Sequence, residues 1–181
     1  MTARHCCMEA CRTATVGEHI LWNSSDGSRH KVCRAAHHPN YDISILHLER
    51  PVQMGLRAVR ACLPTLKLAD DFLAGKPMTV SGWGNTNTTH TSPQINRPNK
   101  LHVAKVWGVT LAMCRKKYGN PHGITAGDMC AGDIIDGGED SCQGDSGGRI
   151  LNRVNSSEQF SIHIYISLII SLLNNNVVYL S

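Results

Sequence analysis

The run Gly144-Asp145-Ser146-Gly147-Gly148 sets one serine among glycines and constrains the fold more than any other stretch of the chain. Glycine adopts backbone conformations that other residues avoid, so the run predicts a sharp turn that exposes the serine oxygen. The same glycines let a substrate carbonyl approach backbone N–H groups, as acyl transfer requires. At ordinary residue frequencies this pentapeptide arises by chance on the order of once per million windows. It therefore predicts a nucleophilic serine.

Two upstream segments supply the partners that such a serine needs. His5 stands in the run Thr-Ala-Arg-His-Cys, and Asp42 begins the alternating apolar run Asp42–Leu48. Histidine can act as a general base, and a carboxylate can orient its imidazole ring. The chain order is His5, Asp42, Ser146, which is one of the known orders of this catalytic triad.

With these motifs the chain resembles the chymotrypsin/trypsin family of serine endopeptidases over about residues 1–148. Further short matches follow in one order along the chain, at Gly17–His19, His38–Tyr41, Cys62–Pro64, Val80–Gly84 and Met129–Gly132. The resemblance implies an all-β fold, an incomplete double six-stranded β-barrel of the trypsin type with one short helix near 110–118. Residues 149–181 depart from the family pattern and are predicted to form a divergent tail, with a further barrel strand as the alternative.

The resemblance also implies a role for each residue of the site. Ser146 would attack the scissile carbonyl, His5 would accept and return the proton, and Asp42 would hold the imidazole. The N–H groups of Gly144 and Ser146 would form the oxyanion hole. Asp145 corresponds to the carboxylate that is linked to activation in this family. Plainer alternatives stay open: a turn serine, a surface histidine and an aspartate that caps a strand.

Asp140 lies six residues before Ser146, where trypsin-like members carry the carboxylate of the primary substrate pocket. A carboxylate there accepts charge-assisted hydrogen bonds from arginine or lysine. The implied activity is cleavage after Arg or Lys through an acyl-enzyme. The alternative is a solvated acid in the polar run 136–140.

Eight cysteines in 181 residues indicate an oxidising compartment. By resemblance, Cys114 and Cys130 should form a disulfide, and Cys62 matches the position that tethers an upstream pro-region in many members. The family partners of Cys6 and Cys142 are not found in the chain, so both are expected to be unpaired.

Cys7, Cys11 and Cys33 have no pairing that the resemblance implies. Together with His5, Cys6 and His37 they could be drawn as a zinc cluster, but the adjacent cysteines Cys6 and Cys7 and the irregular spacing argue against a tetrahedral site. No metal and no organic cofactor are predicted.

The composition excludes other classes of function. The net charge of +4 is modest and scattered, without a basic stripe, so no nucleic-acid partner is expected. The apolar run Phe160–Leu173 is shorter than the roughly 20 residues of a membrane helix, so no membrane partner is expected. No signal peptide is visible at the start of the chain, and an extracellular location is expected by resemblance alone.

Local patterns predict the main elements. Alternation of apolar and polar residues predicts strands over Asp42–Leu48, Met78–Gly82 and Leu101–Val109. A helix is predicted over Leu111–Tyr118, with Thr110 as its N-cap.

Two classes of function follow. The first is a serine endopeptidase acting on proteins or peptides with Arg or Lys at the cleavage site, with protein inhibitors as possible partners. Because the chain is expected to start late and end early for the family, it is predicted to be a fragment with weak or no activity. The second is a non-catalytic protease homologue that binds partners through the same surface. The intact triad favours the first class, and the missing activation segment favours the second.

Overall fold

The computed structural model describes residues 1–8, 11–23, 25–61, 73–86, 96–118, 124, 128–132, 140–155 and 158–162. Within these residues the chain forms two antiparallel β-sheets and one short α-helix. The predicted all-β class is confirmed.

The first sheet has three strands in the order β1-β2-β3, with β1 at Thr13–Val16, β2 at Ser28–His37 and β3 at Ser44–Leu48. Both neighbouring pairs are antiparallel. The N-terminal segment joins this sheet through Thr2, which exchanges backbone hydrogen bonds of 2.9 and 2.8 Å with Ser44. This bridge brings residues 2–5 beside the start of β3.

The second sheet has five strands in the order β6-β5-β4-β7-β8. Its strands are β4 (Pro77–Gly82), β5 (His102–Val109), β6 (Cys130–Gly132), β7 (Arg149–Asn155) and β8 (Glu158–Ile162). Every neighbouring pair is antiparallel. The strands predicted from alternation over residues 78–82 and 101–109 agree with β4 and β5 to within a residue or two.

The core of the second sheet is apolar and close-packed. Its buried members come from β4, β5, β6 and β7 and the segment before β4: Leu73, Met78, Val80, Val106, Ala131 and Ile150. Ile150 is fully buried, so β7 contributes to the core. The predicted domain boundary after residue 148 stays a prediction, and residues 163–181 lie outside the described part of the chain.

The helix, α1, spans Leu111–Tyr118 as predicted. The Thr110 hydroxyl accepts a hydrogen bond of 3.1 Å from the Met113 N–H, which is the expected cap. A disulfide joins Cys114 on the helix to Cys130 on β6, with a sequence separation of 16. Closing a loop of this length stabilises the fold by about 3 kcal/mol.

A second disulfide joins Cys7 and Cys11, two of the cysteines for which the sequence implied no partner. It lies just after a single 3-10 turn, His5–Cys7. Cys33 keeps a free thiol, and Cys62 lies outside the described residues. In the part of the chain that the structure describes, no helix is long and apolar enough to cross a membrane.

Backbone hydrogen bonds connect the two sheets directly. The Leu101 N–H donates to the His19 carbonyl at 2.8 Å, and the Leu21 N–H donates to the Asn99 carbonyl at 2.8 Å. The Trp83 indole also donates to the His19 carbonyl, at 3.3 Å. These contacts join the segment after β1 to β4 and to the residues just before β5, and so connect the two sheets.

Candidate active site

His5 and Asp42 are in direct contact on the side of the first sheet. The Nδ1 atom of His5 lies 2.6 Å from Oδ2 of Asp42, and the backbone N–H of His5 donates to Oδ1 at 2.8 Å. Both side chains are 27% exposed, so the pair is reachable from solvent. A carboxylate can only accept, so Nδ1 carries the proton and Nε2 is left to accept one.

Arg4 holds this pair in place, a role that the sequence pattern did not indicate. Its backbone N–H donates to the Asp42 carbonyl at 3.2 Å. Its guanidinium donates to the His38 and Pro39 carbonyls, each at 3.3 Å. The loop before Asp42 is thereby tied to the turn that carries the histidine.

The serine loop has the sharp geometry that its glycines predict. Gly144 and Gly147 have φ values of +105° and +76°, in the region that side chains disfavour. The Gly148 N–H closes the turn by donating to the Asp145 carbonyl at 2.9 Å. Ser146 is held between the two glycines, directly before β7.

The serine loop packs tightly against the N-terminal segment. A Cβ atom placed on Gly147 would collide with the Thr2 hydroxyl oxygen and lie 2.9 Å from the Ala3 nitrogen. The Cys6 thiol also donates to the Ser146 carbonyl at 3.6 Å. The turn with the histidine and the loop with the serine are therefore adjacent, although they lie about 140 residues apart in the chain.

Cys6 is the described hydrogen-bond partner of the second imidazole nitrogen of His5, Nε2. Its sulfur lies 3.4 Å from Nε2 of His5, and no hydrogen bond between His5 and the Ser146 hydroxyl occurs within the described residues. Burial raises the pKa of the Cys6 thiol, and the negative charge of Asp42 raises it further. The thiol is therefore neutral at pH 7, and its single proton can be donated either to Nε2 or to the Ser146 carbonyl. Catalytic hydrogen bonds are often loose without substrate and tighten when it binds.

The Asp145 carboxylate ties the serine loop to the segment that follows β4. Its Oδ1 accepts the Gly84 N–H at 2.7 Å, and its Oδ2 accepts the Cys142 N–H at 2.9 Å. A Cβ atom on Gly82 or Gly84 would collide with this carboxylate, which explains the two glycines at the end of β4. Both oxygens of Asp145 thus have backbone donors.

Asp140 and Ser141 lie at the start of the same loop. The Ser141 N–H donates to Oδ1 of Asp140 at 2.7 Å. Ser141 is only 4% exposed, and its hydroxyl has no hydrogen-bond partner among the residues described. Such a hydroxyl needs a partner when the site is filled, because burial without one is costly. Sequence reasoning missed Ser141, whose only signal was its position next to Asp140.

Cys142 is a free thiol in the loop that leads to Ser146. Burial raises the pKa of Cys142, and the negative charges of Asp145 and Asp140 add to the rise. Across the described ranges, no group of three or more His, Cys, Asp or Glu side chains is placed to hold a metal ion.

Two antiparallel lobes with a histidine–aspartate pair on one and a glycine-flanked serine on the other define the class of serine proteases. A family model described as "Trypsin" matches residues 1–168. The chain belongs to the trypsin family. The match passes the predicted boundary at residue 148 and includes β7 and β8.

Individual relatives agree with this assignment. The chain is 33% identical to the proclotting enzyme of Tachypleus tridentatus, over 91% of this chain and 47% of that protein. It is 36% identical to human kallikrein-14, over 84% of this chain and 56% of that protein. The solved structure of neuropsin, a serine protease from mouse brain, matches with a TM-score of 0.67 and 28% identity, over 94% of this chain and 70% of that one. The chain thus spans about half the length of these two curated relatives.

Proposed function

We propose that this chain carries the catalytic machinery of an endopeptidase that cleaves after Arg or Lys through an acyl-enzyme. The observation that carries the proposal is the 2.6 Å contact between His5 Nδ1 and Asp42 Oδ2. It leaves Nε2 as a proton acceptor at the cleft, next to the loop of Ser146.

The proposed reaction uses these groups in sequence. Oγ of Ser146 attacks the scissile carbonyl while Nε2 of His5 takes its proton. The backbone N–H groups of Gly144 and Ser146 stabilise the oxyanion. His5 then protonates the leaving amine, and a water molecule, deprotonated by the same nitrogen, releases the acid and regenerates the serine.

The proposed specificity rests on Asp140 with Ser141 as its neighbour. An arginine or lysine head group entering the pocket would pair with the carboxylate and donate to the buried hydroxyl. Both contacts offset the desolvation of the incoming cation.

The proposed function extends to the partners of the whole protein. Its substrates would be polypeptides with exposed Arg or Lys residues, met outside the cell, and protein inhibitors could occupy the same cleft. Cys62 would be the attachment point of a pro-region, but it lies outside the described residues.

A fluorophosphonate probe tests the catalytic proposal. The folded protein should be labelled with one equivalent at Ser146, and Ser146→Ala should not be labelled, since only an activated serine attacks the phosphorus. Mass spectrometry of the labelled peptide gives the site. A folded protein that stays unlabelled would instead be the non-catalytic binding homologue, which the 3.4 Å approach of the Cys6 sulfur to Nε2 of His5 favours.

Replacement of Asp140 tests the specificity. In Asp140→Ser, kcat/KM for an arginine substrate should fall about 100-fold, because a charge-assisted bond is lost. The matched leucine substrate, which makes no such bond, should change little. Equal losses for both substrates would show that Asp140 supports the loop and does not select the side chain.

A further inference from the structure

Arg97 lies against the loop that carries the proposed oxyanion hole. A Cβ atom built on Gly144 would be 3.5 Å from Nε of Arg97 and 3.8 Å from its Cζ. The guanidinium is therefore a direct neighbour of the backbone whose N–H would face the reacting carbonyl in the proposed reaction. The arginine is exposed, so its charge is open to solvent and to a ligand that reaches this loop.

The segment that carries this arginine is anchored to the serine loop. The residue before it, Asn96, is held by two hydrogen bonds. The Asn96 N–H donates to Oδ1 of Asn85 at 2.9 Å, and the Asn96 carbonyl accepts from the Thr86 N–H at 2.9 Å. The Asn85 N–H donates to the Gln143 carbonyl at 2.9 Å. Because Gln143 directly precedes Gly144, a short chain of hydrogen bonds sets the position of the arginine relative to the oxyanion donors.

The positive charge of Arg97 is not paired with an acidic side chain within the described part of the chain. No ion pair or hydrogen bond of its guanidinium occurs there, whereas Arg57 pairs with Asp26 at 2.8 Å and Lys31 with Glu49 at 3.2 Å. A planar guanidinium with five donors matches a carboxylate in bidentate geometry. An anionic group of the substrate is the fitting partner.

We propose that Arg97 is a specificity-determining residue that binds an acidic side chain next to the scissile bond. The inference rests on the proposed function, which puts the scissile carbonyl at the Gly144 N–H. An extended substrate advances about 3.3 Å per residue, so only residues within one or two positions of that carbonyl come within reach of Arg97. The enzyme would thus prefer sites that combine a basic residue with a nearby acidic one.

Paired peptides test this preference. Each pair carries arginine at the cleavage site and either Glu or Gln at one of the two positions on either side of the bond. At low salt, kcat/KM should favour Glu over Gln about fivefold at one of these positions, as for an exposed ion pair. The preference should disappear in Arg97→Gln, reverse in Arg97→Glu, and shrink at 1 M NaCl because the charges are screened.

The control is Arg29→Gln, which removes the same charge from an exposed position on β2. Arg29→Gln should keep the full preference for Glu. This result would separate a local effect of the Arg97 charge from a general effect of the net charge of the protein. Equal rates for Glu and Gln in the parent protein, or a preference that survives in Arg97→Gln, would overturn the proposal.

A binding measurement separates this proposal from the proposed function. In Ser146→Ala, fluorescence anisotropy of the labelled peptides should show about fivefold tighter binding of the Glu peptide, lost when Arg97→Gln is added. If the parent protein hydrolyses none of the peptides, the catalytic proposal fails while the binding ratio still decides the role of Arg97. Equal binding of both peptides, or no binding of either, would refute that role.

Discussion

Asp42→Asn is expected to lower kcat for an arginine ester about 10⁴-fold, with little change in KM. Oδ2 of Asp42 accepts the Nδ1 proton of His5, while Oδ1 accepts its backbone N–H. An asparagine that keeps the backbone bond turns its amide NH₂ toward Nδ1, so the proton moves to Nε2 and the base is blocked. Steady-state kinetics on the purified variant measure the loss.

Glu49→Gln is the matched control for this variant. Glu49 is a surface carboxylate whose only described ion pair is with Lys31, and exposed pairs of this kind contribute about 0–1 kcal/mol. The activity and the free energy of unfolding of the Glu49→Gln variant should stay close to the parent values. An Asp42→Asn protein that is folded and retains more than a tenth of the parent kcat would contradict the proposed triad.

Gly147→Ala is expected to destabilise the fold by about 3 kcal/mol and to abolish most activity. The new methyl group carries a backbone strain at φ +76° and also collides with Thr2 and Ala3. Relief of the collision pushes the serine loop away from the turn that carries His5. Denaturant unfolding measures the loss of stability, and fluorophosphonate labelling of Ser146 measures the loss of activity.

Gly75→Ala separates strain from collision. Gly75 has φ +71°, but a Cβ atom there meets nothing within 4 Å. Its cost should be about 1–2 kcal/mol, the strain alone. If both variants lose the same stability, the close contact between Gly147 and the N-terminal segment has no energetic weight.

Much of the fold could be predicted because the signals are local. Alternating side chains indicated β3, β4 and β5, since a strand exposes its residues with a period of two. The helix at Leu111–Tyr118 was visible from the Thr110 cap and the glycine that follows. Strands β1, β2 and β6 were missed. β1 and β6 are only four and three residues long, which is too little pattern to distinguish them from a loop. β2 is rich in exposed polar residues and its register shifts between Val32 and Arg34, so it lacks a clean period of two.

For the candidate site, the sequence could predict which residue types carry the chemistry but not the contacts that position them. Ser146 could be proposed as the nucleophile from sequence alone, because the serine and the glycines that form its turn are contiguous. The contacts of Arg4 with the loop before Asp42 join residues more than 30 positions apart. No local period encodes such a pair, so the sequence could not indicate that Arg4 positions the site.

By itself, the sequence of this protein determined the candidate reactive groups, their order along the chain and the alternation that predicts β3, β4 and β5. Only the tertiary structure decided that Gly84 and Cys142 donate to Asp145, that Ser141 is buried beside Asp140, and that Arg97 lies against Gly144 of the serine loop. The physical reason is the sequence separation over which each interaction acts. Turn geometry and strand periodicity depend on neighbouring residues, whereas hydrogen bonds and charge contacts across the cleft depend on how the two sheets pack.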